Sequence, residues 1–386
     1  MSKLAQGIVS RLLAEADIEV GGRRPWDIQV NDSRFWRRAL RGSLGFGEAY
    51  MDGYWDAESL GAVFRRLIRA GAARSRIQRV NQGMLAAFSR LSNRQTPARS
   101  QVIAQTHYDL DPRLYASFLG PYMQYSCNFF NHARTLEQAE KEKLEMVCNK
   151  LDLRAGEKVL DIGCGWGGFA HYAVQTRNCR VTGVNISREQ VKFARRKTAD
   201  MDAEILRCDY RDLPERFDGG HFDKAVSIGM FEHVGYRNFH GFFDIVHRSI
   251  RDDGLFLLHT IGSNRSGIHT DPWLEKYIFR NSMLPSAAQI AKAVQGLFVI
   301  QDWENYGHYY ARTLAEWRDR FEAHWPSISA LKGPHPFDGR FRRMFRYYLS
   351  SCKAAFETEF IHLWQIVLTK EGQGKAVYPR VNLLVS

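Results

Sequence analysis

From residue 150 onward, short apolar runs alternate with stretches of helical period: KVLDIG at 158–163, CRVTGVN at 179–185, EILRCD at 204–209, FDKAVSIG at 222–229 and GLFLLHTIG at 254–262. Runs this short and this apolar, separated by amphipathic stretches, predict strands of a parallel sheet joined by crossover helices. Two later runs, LFVIQDWE at 297–304 and LWQIVLTK at 363–370, complete the sheet as its last two strands, the final one after a helix near 338–358. Residues 104–150 read as helices laid ahead of the sheet.

The N-terminal pattern differs. Leu60, Val63, Phe64, Leu67 and Ile68 recur at helical spacing while Arg65, Arg66 and Arg69 point elsewhere, and a second helix carries Ile77, Val80, Met84, Leu85, Phe88 and Leu91. Periodicity is then lost through SNRQTPARS. The expected division is a small, mainly helical N-terminal domain at 1–91, a linker at 92–103 and an α/β domain at 104–386. A chain of 386 residues suits such a pair of cores.

Charge sharpens this division. The net charge is +12, and residues 1–100 hold 17 Lys+Arg against 9 Asp+Glu. Between 59 and 108 stand nine arginines and no acid. Two readings are open: a solvated helical face whose apolar stripe packs in the small domain, or a surface that docks on anionic lipid. No run reaches the length of a membrane span, and the first twenty residues carry acids where a signal peptide has an apolar block, so a cytoplasmic protein is expected. The six cysteines form no CxxC pair, and no metal site is expected.

The sharpest motif is Val159-Leu-Asp-Ile-Gly-Cys-Gly-Trp-Gly-Gly168, a strand running into a glycine-rich turn and a helix. Asp161 ahead of Gly163, Gly165 and Gly167 is the arrangement used by class I methyltransferases, rather than the dinucleotide fingerprint that begins directly after the strand. A carboxylate there suits S-adenosylmethionine, whose ammonium and sulfonium are both positive. Beyond the second strand, Asn185 and Gln190 can serve the ribose hydroxyls, the alternative being a helix cap at Ser187 and a surface glutamine. Asp209 and Tyr210, after the third strand, fall by the adenine or merely form a turn.

Further segments carry a resemblance: Gln124-Tyr-Ser-Cys127, Gly229-Met-Phe-Glu-His-Val-Gly235, Leu258-His-Thr-Ile-Gly262, Tyr347-Tyr-Leu-Ser-Ser-Cys352, GEAYMDGYW at 47–55 and HYDL at 107–110. In their order around the glycine motif, they resemble the cyclopropane-fatty-acyl-phospholipid synthases from about residue 10 to 370. The departures, Ser350-Ser351 and the insert LKGPHPFDG at 331–339, are peripheral.

The resemblance implies a class I methyltransferase fold, Rossmann-like with a seven-stranded, mostly parallel sheet, and methylene transfer to an unsaturated phospholipid acyl chain. It also implies a base, bound bicarbonate, held by Cys127, Glu232, His259, Tyr310 and the Ile261 backbone, with Tyr309 the alternative to Tyr310. Tyr125 and Ser126 close over the cofactor, and Cys352 lines the pocket. Phe231, Tyr277, Phe279, Trp303 and Trp364 line an acyl tunnel or belong to the core. Peripheral attachment to the inner face of the cell membrane and a homodimer are expected, and no nucleic-acid partner. The rivals are an acyl-chain methyltransferase giving branched lipids, an RNA methyltransferase and a non-catalytic lipid-binding protein.

Overall fold

The computed structural model describes residues 2–71, 111–267, 270–332 and 336–379. The chain divides into two compact units: one of Met1–Ser92, His269–Asn281 and Tyr310–Ile361, the other of Asn93–Ile268, Ser282–Tyr309 and His362–Ser386. The expected single cut at 92–103 therefore does not describe the grouping: two later segments, 269–281 and 310–361, join the N-terminal residues. The cut itself, the second arginine-rich helix and HYDL lie outside the described residues.

In the first unit, helices Ser2–Glu15, Arg34–Ala39, Gly42–Met51 and Leu60–Arg69 surround a short antiparallel pair, β1 (Gln29–Val30) and β2 (Trp55–Asp56). Later segments add helices Pro272–Tyr277 and Gly339–Glu357. Phe35, Tyr50, Trp55, Trp273 and Trp317 are fully buried. The physical reason for the grouping is visible in the bonds. Arg343, on the last helix, donates to the carbonyls of Tyr50 and Trp55 and to Asp56. Glu48 accepts from Lys276 at 2.6 Å and Tyr277 at 3.0 Å.

Helix Leu60–Arg69 buries Leu60, Val63 and Phe64, as its period predicts. Two of its arginines are engaged inside the unit. Arg65 pairs with Glu357 at 2.6 Å, and Arg66 pairs with Asp17 at 2.9 Å with its guanidinium 3.8 Å from the centre of the Trp26 ring. Arg69 is exposed.

The second unit is built on a seven-stranded sheet. Its strands are β3 (Lys158–Ile162), β4 (Arg180–Asn185), β5 (Ala203–Arg207), β6 (Phe222–Ile228), β7 (Ile250–Gly262), β8 (Phe298–Asn305) and β9 (His362–Lys370), in the order β5-β4-β3-β6-β7-β9-β8. β3 to β7 run parallel and β9 is antiparallel to both of its neighbours. Every strand expected from the sequence is present. Successive side chains alternate between faces, so Leu255 and Leu257 join the core over one face while Phe256 and Leu258 join the core over the other. Burial on both sides explains why these strands read as continuous apolar runs. At the centre of the sheet, the carboxyl ends of β3, β4, β6 and β7 lie side by side, the edge where open α/β sheets gather ligands.

Candidate active site

The turn after β3 owes its shape to glycine. Gly163, Gly165 and Gly167 all have φ between 53° and 83°, a region costly for residues with a Cβ. A Cβ on Gly163 would stand 2.6 Å from Met230 Cβ, so that turn is packed. A Cβ on Gly165 would meet nothing within 4 Å, so open space adjoins the backbone there. Asp161, on β3 below the turn, is 2% exposed and its Oδ2 has no partner. Burial pushes its carboxyl up to about 7, against the pull of the Lys143 ammonium. An unpaired buried carboxylate is expensive and suits a cation brought by a ligand.

Asn185 ends β4 and donates to Gln190 Oε1 at 2.8 Å and toward the Gly165 carbonyl at 3.4 Å. Ser187 caps helix Arg188–Lys197, accepting from Gln190 N, and Gln190 is a buried rather than a surface glutamine, its side chain turned to Asn185 beside the glycine turn. Asp209 caps the turn at Tyr210–Asp212 and pairs with Arg211 at 3.3 Å, and Tyr210 packs against Phe242.

Glu232 follows β6 and is 6% exposed. Its Oε1 accepts the Ile261 N–H at 2.7 Å, while Oε2 has no partner. Burial pushes this carboxyl up to about 7 as well, with the Ile261 bond opposing. The Ile261 N–H is thus engaged by Glu232 and helps to aim that carboxyl. His259 stands two residues earlier on β7 and so on the same face. Its Nδ1 is 3.2 Å from the Gln365 amide nitrogen of β9, and its Nε2 has no partner. With the amide donating, Nδ1 is the acceptor and Nε2 carries the hydrogen. Burial, reinforced by the charges of Lys143 and Lys150, holds His259 well below the usual imidazole range, so it is neutral.

Cys127 is buried, its thiol 3.2 Å from the Asn128 carbonyl and 3.9 Å from that of Tyr306. Tyr125 is half-buried against Tyr115 and Phe118, and Ser126 accepts from Lys143 at 3.0 Å. Tyr310 and Cys352 belong to the first unit. There Tyr310 stacks on Phe356 at 4.6 Å, and burial pushes the Cys352 thiol up to about 12, which leaves it protonated and no nucleophile. Tyr309 lies in the second unit, 4.8 Å from Phe129. Among the aromatics, Phe231 and Trp364 belong to the sheet's core with Trp303 packed against it, and Tyr277 and Phe279 to the first unit.

The sequence reading passed over Glu140 and Lys143, both buried on helix Leu136–Lys150, and over Gln365. A signal was there: Leu136, Glu140, Lys143, Leu144 and Val147 share one helical stripe, so two charges sit on a face that is otherwise apolar. Among the described residues, no cluster of His, Cys, Asp or Glu could hold a metal ion, and no helix is long and apolar enough to cross a membrane.

Comparison with known proteins gives the family of the chain. The chain is 44% identical over 364 residues to the cyclopropane-fatty-acyl-phospholipid synthase of Escherichia coli K12, covering 94% of this chain and 93% of that one. The solved cyclopropane synthase MmaA2 of Mycobacterium tuberculosis is 29% identical, covers 72% of this chain and 99% of its own, and superposes with a TM-score of 0.62. The mycolic acid cyclopropane synthase CmaA1, solved with S-adenosylhomocysteine and CTAB, is 28% identical, covers 70% and 98%, and also scores 0.62. With residues 94–366 matching the family described as mycolic acid cyclopropane synthetase, and with a class I methyltransferase sheet bearing an open glycine turn at its centre, the chain belongs to that family of S-adenosylmethionine-dependent enzymes.

Proposed function

We propose that the protein adds a methylene group across the cis double bond of an acyl chain already esterified in a phospholipid. The observation that carries this reading is the pair of buried, neutral-leaning groups Glu232 and His259. Glu232 is fixed by the Ile261 N–H and His259 by the Gln365 amide, and each has one atom without a partner. S-adenosylmethionine supplies an electrophilic methyl group when bound. The residues suited to hold it are Asp161 for its positive end, Gly163, Gly165 and Gly167 for close backbone approach, and Asn185 and Gln190 for its ribose. Tyr125, Ser126, Asp209 and Tyr210 complete the surround.

An alkene is a weak nucleophile, so the site must align the double bond and keep water from the carbocation that methylation leaves on the acyl chain. Ring closure needs one proton removed from the transferred methyl. A neutral His259 can donate Nε2–H to a bound anion, and Glu232 can exchange a proton near pH 7, as a general acid–base group requires. Bicarbonate resting on the unpartnered atoms of Glu232 and His259, with Cys127 beside them as the resemblance implies, would accept the methyl proton. The net charge of +12 supports peripheral attachment to the anionic inner face of the cell membrane, where a homodimer would gain avidity.

The test is incubation with S-adenosylmethionine and vesicles of an unsaturated anionic phospholipid, followed by mass spectrometry of the hydrolysed fatty acids. A gain of one methylene with loss of the double bond is expected. A methyl-branched chain would keep the fold and change the product; untouched acyl chains, with methyl on a head group or an added RNA, would remove the proposal.

A further inference from the structure

Residues 120–127 form a loop pinned from one side by the helix Leu136–Lys150. Glu140 accepts the backbone N–H groups of Tyr122 and Gln124, each at 2.9 Å. One turn later, Lys143 donates to the Gln124 side-chain oxygen and to Ser126 Oγ. Lys143 is 1% exposed and Glu140 wholly buried. On its other side the same loop presses on the glycine turn: a Cβ at Gly168 would lie 1.9 Å from the Tyr122 carbonyl and 2.6 Å from the Gln124 amide nitrogen.

A buried ammonium is costly. We propose that Lys143 is a positioning residue of the cofactor site, whose ammonium locks the 124–127 loop against the glycine turn and sets the charge seen by Asp161. Burial lowers the ammonium to about 8, with Glu140, Cys127 and Asp161 opposing the shift. Lys143 is the charged group that acts on Asp161, the Cys164 thiol on the turn being its other ionisable neighbour. Lys143 and Lys150 together act on His259. One side chain thus couples the loop that closes over the cofactor to the carboxylate that receives its positive end. The proposal rests on the reading that S-adenosylmethionine binds at this turn.

Calorimetric titration of S-adenosylmethionine into the full-length protein between about pH 6 and pH 9 tests it. The unaltered protein should bind more tightly as pH rises and level off near 7 until Lys143 itself gives up its proton near 8; failure to bind at all would remove the functional reading rather than this one. Lys143→Met should bind about tenfold more weakly, and its levelling point should move up by about one pH unit or more. Lys143→Arg, which keeps the charge, should retain the levelling point near 7. Unchanged binding in Lys143→Met, or a loss equal at every pH with the levelling point unmoved, overturns the proposal, because a merely structural lysine would do no more. An arginine variant that behaves like the methionine variant overturns it too. Should Lys143→Met fail to fold, Gln124→Met decides: it removes one acceptor and leaves the ammonium, so weaker binding with an unmoved levelling point is expected, and unchanged binding overturns the proposal.

Discussion

Glu232 spends one oxygen on the Ile261 N–H and keeps the other without a partner in a buried site. A carboxyl so placed holds its proton to about pH 7 because the ionised form has lost its water. Glu232→Gln keeps the bond to Ile261 and removes the exchangeable proton. We expect cofactor affinity within about twofold of the unaltered protein and turnover lower by roughly a hundredfold or more, the usual scale for a lost acid–base group; unchanged turnover would take Glu232 out of the mechanism. Asp161 makes a different prediction. Its carboxyl, raised to about 7 in the free protein, should ionise when it meets a cation. Affinity for S-adenosylmethionine should therefore fall as pH drops below 7, by up to about tenfold per unit, and Asp161→Asn should bind weakly with that slope gone. Titration at several pH values checks both. The acid, the glycines and the His259 to Ile261 segment were readable as motifs because they are contiguous. Lys143 left only a weak trace, its place on an otherwise apolar helical stripe, since a lysine on a helix is ordinarily solvated and only the fold closes over this one.

At the scale of elements, the β3 turn separates folding from binding. Gly165 has φ of 53° and open space where a Cβ would stand. Gly165→Ala should cost about 1 kcal/mol of stability in urea unfolding, the expense of a left-handed alanine, because no packing is disturbed. Cofactor binding should fall far more, because the methyl group fills the space beside the backbone that a ligand would use. A binding loss no larger than the stability loss would show that the cofactor does not approach there. The strands were readable because burial on both faces removes polar residues from them. The bonds across elements, Ile261 to Glu232 and Gln365 to His259, were not, since they join positions 29 and 106 residues apart.

For the whole molecule, the buried carboxyls carry a cost that pH reveals. Glu232 is ionised above about 7 in the folded chain but already above the ordinary glutamate range, near 4.5, in the unfolded one. The folded state thus binds the extra proton between those values, and stability is lost as pH rises through them. Glu232→Gln should accordingly match the unaltered protein at pH 4.5 and exceed it at pH 8 by up to about 3 kcal/mol, a trade of stability for function that paired denaturation curves would measure. No such gain at pH 8 would mean that the carboxyl is not strained by burial. By itself the amino-acid sequence determined the seven strands, the glycine turn and the family, because strand period, the positive-φ requirement of a tight turn and contiguous motifs are local properties. Only the tertiary structure decided that 269–281 and 310–361 close the N-terminal unit, that Arg65 and Arg66 are spent on Glu357 and Asp17, and that Lys143 is buried against Gln124 and Ser126. Those depend on which distant side chains meet, and a surface arginine, a crossover helix or a solvated lysine carries the same local pattern whether or not it meets a partner.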